Sequence, residues 1–282
     1  MSARIGVQAF TLREEFARQG VFETFEQVGG IGYRVAEISA IPMTPENVAE
    51  LVRVRDELGF DMASISGGLT GERSLTTAFD AFVADAKALG ADMIRIGMLP
   101  AGAMATPGTV AAFADGCNEV AKRLGDHGIA LHYHNHHIDF AKYEGRYLLD
   151  VIAERSPLVG LEIDAHWVQR GGLDPVRTLH KYAGRVAMVH LKDYRVARLD
   201  PAVFAALDAG DREPWAEGMK HVVQFAEVGE GNLDWPSIIA AADETGARYL
   251  LVEQDEFYGR TAVECLTTSH DNLVAMGYGD RF

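Results

Sequence analysis

Short runs of β-branched and apolar residues recur along the chain, each followed by a longer stretch whose apolar positions fall at helical spacing. Eight such runs predict strands over residues 4–10, 33–38, 60–65, 92–97, 129–134, 159–163, 186–191 and 248–253. The stretches between them carry helix start signals. Thr44 before Pro45 and Glu46, Thr106 before Pro107, Asp174 before Pro175, and Asp234 ahead of Pro236 each supply a capping acceptor and a first-turn proline. Gly59, Gly90, Gly128, Gly184 and Gly246 close helical segments shortly before a strand, where a left-handed cap is needed.

Eight strand–helix units in 282 residues predict a closed parallel barrel, a (β/α)8 TIM barrel of the α/β class forming one domain over residues 1–282. An open doubly wound sheet is the competing arrangement, but no glycine-rich dinucleotide fingerprint follows the first strand. One connection breaks the rhythm. After strand seven ends near Leu191, about forty residues pass before the helix expected at Trp235, and loops of that length are usually functional. Leaving the C-terminal end of a barrel strand, residues 194–233 read as a long β7–α7 loop over the active-site face. A peripheral insertion or a contact between copies of the chain is the alternative.

Composition narrows the partners. A formal charge of −15 without a basic run disfavours nucleic acid, whose binding relies on clustered Lys and Arg. Two cysteines, Cys117 and Cys265, both in apolar stretches, support neither a disulfide framework nor a cysteine-rich zinc site. No apolar run approaches the ~20 residues that span a bilayer, and the first residues lack the pattern of a signal peptide. The expected setting is cytoplasmic, without membrane contact.

The predicted strand ends are polar. Strand five closes on His132-Tyr133-His134-Asn135-His136-His137, strand six on Glu162-Ile163-Asp164-Ala165-His166, strand seven on His190-Leu191-Lys192-Asp193, and strand eight on Glu253-Gln254-Asp255-Glu256. Side chains alternate between lumen and helix layer, so the last inward positions of neighbouring strands converge. Asp164, His190 and Glu253 stand at three such ends. His132, His134 and His136 share one face at period-two spacing, and among them His134 is the preferred fourth ligand. Mixed nitrogen and oxygen donors suit a single divalent ion such as Mn²⁺, Zn²⁺, Co²⁺ or Fe²⁺ better than calcium, with Mg²⁺ also within range. A lone histidine is more often structural; the combination is what points to a metal.

The runs GVQAFTLR, IGYRVAEIS, HYHNHHIDF, LEIDAHWVQRGGLDP, VHLKDY, EVGEGNLDW and LLVEQDEFYG resemble, in order and over nearly the whole chain, the sugar phosphate isomerase/epimerase family of xylose isomerase-like barrels. That group includes ketose epimerases, inosose dehydratases and abasic-site endonucleases. The resemblance implies a metal site of Glu, Asp, His and Glu. Asp164, His190 and Glu253 match the last three, while the first Glu finds only the histidine-rich run on strand five. The two-glutamate epimerase mechanism therefore does not transfer directly.

What the resemblance implies is a metal-dependent isomerase or epimerase of a sugar or ketosugar, removing a proton next to a carbonyl through an enediolate. A lyase or dehydratase acting on a keto-sugar or keto-inositol shares that first step, and a non-catalytic sugar-binding barrel is the remaining reading. In this frame Glu37 is a candidate general base or hydroxyl ligand, with a lumen carboxylate paired to Arg95 as the plain alternative. Lys192 shares a face with His190 and would stabilise the enediolate or donate a proton, its pKa lowered by the metal. Gln8, His132, His136, His166, Trp167 and Glu230 are candidates for contact with a small carbohydrate substrate. Trp167 offers an apolar face to a sugar ring, and Glu230 stands on a glycine-flanked turn.

Overall fold

The structure, a computed structural model, describes residues 2–282 and closes eight parallel strands into a barrel. They are β1 (Arg4–Gln8), β2 (Val35–Ile38), β3 (Asp61–Gly67), β4 (Met93–Ile96), β5 (Ala130–His134), β6 (Gly160–Asp164), β7 (Val186–Leu191) and β8 (Tyr249–Val252). The strands follow chain order around the ring, with β1 pairing both β2 and β8. Each lies where the apolar runs predict it, differing only at the ends. Thr44, Thr106, Asp174 and Asp234 cap their helices by accepting N–H bonds from Asn47, Thr109, Arg177 and Ser237. Gly59, Gly90 and Gly246 end theirs in the left-handed conformation.

Strand alternation sorts the side chains into two environments. Val7, Ile94, Ile96, Leu131, Leu161, Ile163, Val189, Leu191 and Leu250 face the helices and are buried against them. The lumen is built in tiers. Val35, Ala63, Met93, Met188, Tyr249 and Leu251 form an apolar floor. Glu37, Arg95 and His190 follow two residues further along their strands, with Glu162 on β6 beside them, so the polar tiers stand toward the C-terminal mouth. Two glycines allow the close packing this requires. A Cβ on Gly6 would lie 2.5 Å from the Val35 carbonyl oxygen, and one on Gly160 would lie 2.3 Å from the His132 ring.

The seventh connection is structured. Strands Asp193–Val196 and Val223–Ala226 pair antiparallel, setting Tyr194 opposite Phe225, and helices Pro201–Asp208 and Glu213–Lys220 join them. Neither helix buries a side chain. What the sequence suggests as a loop is a two-stranded ribbon with a helical tip, and its root walls the barrel mouth. A smaller hairpin, Lys142–Tyr143 with Arg146–Tyr147, follows β5. Among the described residues no helix is long and apolar enough to cross a membrane.

Candidate metal centre

Asp164 ends β6 and also caps the helix Ala165–Arg170, its Oδ1 accepting the Trp167 N–H at 2.8 Å. Asn135, one residue beyond β5, accepts the Asp164 N–H at 3.0 Å. The fold thus occupies one carboxylate oxygen, and Oδ2 is left buried without a hydrogen-bond partner.

His134 ends β5 with Nδ1 3.0 Å from the Gly97 carbonyl. A carbonyl only accepts, so Nδ1 carries the proton and Nε2 presents a lone pair. That Nε2 has no hydrogen-bond partner and lies 3.5 Å from Asp164 Oδ2. His190 is oriented from below, with Nε2 2.8 Å from Glu37 Oε2 and 3.1 Å from Glu162 Oε1. Its Nδ1 turns upward, 2.9 Å from Glu253 Oε2 and 3.7 Å from Asp164 Oδ2. One donor atom each from His134, Asp164, His190 and Glu253 lies within 4.8 Å of the others.

Electrostatics explain why these groups suit a cation. Glu37, Glu162, Asp164 and Glu253 are all buried, and the fixed cations among them are Arg95 and Lys192. These carboxylates outnumber the fixed cations, and buried charge without a counter-charge is costly, so a proton on His190 or a divalent ion would offset the excess. Burial opposes ionisation of Asp164 and Glu253. Lys192 foremost, followed by His134 and His190 at Asp164 and by His190 at Glu253, outweighs it and holds both carboxyls well below their ordinary range. Burial likewise opposes charge on His190, but Glu162, Glu253 and Glu37 raise it well above the usual imidazole range. A proton on Nδ1 and a divalent ion are alternatives there. The cluster could hold a metal.

Lys192 is buried 2.7 Å from Glu253 Oε2 and 3.1 Å from Asp255 Oδ1. Burial alone would lower it, yet Glu253, Asp164 and Asp255 raise it above its ordinary value. With Phe10, Arg95, Met98, His134, His136, Glu253 and Asp255 it lines a cavity of about 290 Å³ above the cluster. His136 stacks on Trp167 at 5.4 Å with Nδ1 unpartnered, and burial lowers it to about 3. Trp167 is half-buried under the Lys192 ammonium, 5.1 Å from its ring centre. His166 stacks on Phe225 of the ribbon at 4.8 Å, and burial lowers it to about 4. Gln8 lies buried at the end of β1, its Oε1 accepting from Phe10 N–H and the Ser39 hydroxyl and its Nε2 unpartnered.

His132, Glu37 and Glu230 lie outside the lining of the upper cavity. His132 lies one tier below His134 and lines a cavity of about 650 Å³ with Asp92, Lys122, Leu158 and Arg248. That cavity, though larger, touches none of the four convergent residues and includes β4 and β5 residues from the opposite strand ends, so His132 is not presented to a substrate at the cluster. Glu37 is fully buried beneath His190, bonded by Arg95 and by the Ser64 hydroxyl, and does not line the upper cavity. Glu230 is exposed and accepts from Asn272 Nδ2 at 3.3 Å on the last helix.

The loop around Glu230 is instead organised by Asp193. Its carboxylate accepts N–H bonds from Gly229, Gly231 and Leu233, and from Trp235 Nε1 at 2.6 Å. Sequence reasoning also assigned no role to Glu162 or Asp255. Both were legible by the same period of two, one residue pair below Asp164 and one above Glu253.

The family described as xylose isomerase-like TIM barrel matches this chain over residues 25–268. The rhizopine catabolism protein MocC of Rhizobium meliloti is 28% identical over 169 residues, 58% of this chain and 49% of that protein. The inosose dehydratase of Geobacillus kaustophilus is 31% identical over 148 residues, 51% of this chain and 45% of that protein. The chain therefore spans about half the length of the curated relatives it matches. Among solved structures, a sugar phosphate isomerase/epimerase from Parabacteroides distasonis superposes with a TM-score of 0.73 at 19% identity, over 99% of this chain and 96% of that one. The probable 3-DHS dehydratase AsbF from Bacillus anthracis gives 0.64 at 15% identity, over 97% and 99%. These structures speak for the shared fold.

Proposed function

Because the chain belongs to the xylose isomerase-like TIM barrel family, we propose that it is a metal-dependent enzyme that removes a proton next to the carbonyl of a keto-sugar or keto-inositol. The observation that carries this reading is the convergence of His134 Nε2, Asp164 Oδ2, His190 Nδ1 and Glu253 Oε2 beside Lys192. His134, Asp164, His190 and Glu253 would hold the ion. A bound divalent ion supplies the charge that polarises a carbonyl and spreads the negative charge left when the proton departs. Nitrogen and oxygen donors together favour Mn²⁺, Zn²⁺, Co²⁺ or Fe²⁺.

The remaining residues divide the work. Asp255 lines the cavity outside the ligand set and is placed to accept the proton. Lys192, hydrogen-bonded to Asp255, brings an ammonium to the same wall, where it faces developing negative charge and can return a proton. His136, backed by Trp167, brings an aromatic surface to the cavity for a sugar ring.

Elimination is the outcome this arrangement supports best. Asp255 takes the carbon-bound proton, and Lys192 protonates the departing β-hydroxyl or alkoxy oxygen. His134 stands where the resembled epimerases carry a glutamate, which removes one of the two carboxylates their route uses. The inosose dehydratase name of the sequence relatives agrees with this class of reaction. Isomerisation or epimerisation is the second reading, in which the Lys192 ammonium returns the proton to carbon and no leaving group departs.

Incubation of the metal-loaded protein in D2O with a panel of keto-sugars and keto-inositols tests this by NMR. Deuterium entering the carbon next to the carbonyl, with loss of water or alcohol, is the expected result. Isomers or epimers without such loss would favour the second reading. No exchange with any carbonyl substrate would contradict proton abstraction.

A further inference from the structure

Directly beneath the four-residue cluster lies another group able to surround a cation. An oxygen each from Glu37 and Glu162 and a ring nitrogen of His190 lie within 4.8 Å of one another. All three side chains are fully buried, and neither oxygen of Glu162 has a hydrogen-bond partner. The charge that answers them comes from a side chain. Arg95 rises from β4 with its Nε bonded to Glu37 Oε1 and 3.4 Å from Glu162 Oε2.

The geometry points to Arg95 as a built-in cation in a second metal position, so that the centre takes one divalent ion and not two. A guanidinium cannot lose its proton in a protein and cannot be exchanged for an ion from solvent. Its presence leaves an excess of carboxylates that a single divalent ion at Asp164 and Glu253 would offset. Without it, two adjoining buried carboxylates would face an emptied space able to admit an ion and water. The consequence reaches the reaction class. Two-metal displacement at phosphorus needs ions about 3.5–4 Å apart that clamp the attacking and leaving oxygens. Arg95 withholds the second ion, which leaves this lumen suited to single-metal carbonyl chemistry and unsuited to phosphodiester cleavage.

This inference rests on the metal-centre reading, and metal stoichiometry separates the two. Wild type, Arg95→Ala, Arg95→Lys and the double variant Arg95→Ala with Glu162→Gln are prepared with Mn²⁺ or Zn²⁺ present throughout, passed through chelator-free gel filtration, and analysed for metal and for folding by circular dichroism. Wild type and Arg95→Lys are expected to hold one ion per chain, Arg95→Ala two, and the double variant one again. A wild type with one ion and an Arg95→Ala protein also with one would overturn the role of Arg95 while leaving the metal centre intact. A wild type with none would overturn both. An Arg95→Ala protein that does not fold even with excess ion would also overturn it, because a recruited ion should replace the lost charge.

Discussion

The Nε2 of His190 lies 2.8 Å from Oε2 of Glu37, on the side of the ring turned away from Asp164. This contact fixes which nitrogen faces the cluster, and carboxylates in that position typically set a ligand's orientation and basicity. A Glu37→Gln variant can present an amide donor to the same ring and so loses the enforced tautomer. Its metal affinity should fall by roughly 10- to 100-fold, the usual effect of removing such a partner. Competition titration against a chelator measures it; unchanged affinity would mean that Glu37 does not orient His190.

Lys192 is expected to separate binding from turnover. It is a cation 3.7 Å from Asp164 Oδ2 and 2.7 Å from Glu253 Oε2, so replacing it with Met removes repulsion toward an incoming ion. Lys192→Met should hold metal at least as tightly as wild type while turnover drops by roughly 10²- to 10⁴-fold, the range for lost acid–base assistance. Equal turnover in the two proteins would remove Lys192 from the reaction.

Asp139 gives a pH signature away from the metal. It is buried, accepts from the Tyr133 hydroxyl at 2.9 Å and His136 N–H at 2.8 Å, and burial raises its carboxyl from 3.8 to about 7. The folded value lies above the unfolded one, so its stabilising contribution is complete below pH 3.8 and is lost as pH rises through about 7. At about 1.4 kcal/mol per unit, the change across that window is on the order of 4 kcal/mol. Denaturant unfolding of Asp139→Asn from pH 4 to 8 should show this downward slope flattened. Parallel curves for variant and wild type would mean that the carboxyl ionises normally.

Asp193 and Glu230 should behave oppositely despite sharing one loop. Removing the Asp193 carboxylate leaves the N–H groups of Gly229, Gly231 and Leu233 and the Trp235 indole without their acceptor. The Trp235 indole is the buried donor among them, so Asp193→Ala should lose about 1–3 kcal/mol there, and less at each of the three part-buried backbone N–H groups that water can reach. Glu230→Ala should match wild type in stability and turnover. Chemical denaturation and the exchange assay together decide it; a turnover defect in Glu230→Ala would restore that residue to the site.

The barrel was legible because each strand combines a short apolar run with polar termination, and because capping residues and glycines mark the helices between. The convergence of Asp164, His190 and Glu253 was legible for the same reason: period two and a common end. Period two identifies a face but not a depth, which is why His132 was grouped with His134 and why Glu37 was expected to meet substrate. Loop chemistry was the least legible. The acceptor at Asp193 is defined by backbone N–H groups that no side-chain pattern displays, so Glu230 drew attention in its place. The ribbon of the seventh connection escaped notice because its strands are four residues long and its helices bury no face.

Elemental analysis of purified wild type and of His134→Ala, Asp164→Ala, His190→Ala and Glu253→Ala, after gel filtration in chelator-free buffer, tests the metal centre most directly. One divalent ion per wild-type chain, with occupancy lost or sharply reduced in each folded variant, is the predicted result. Equal metal content in all five proteins, or none in the wild type after exposure to excess ion, would contradict it.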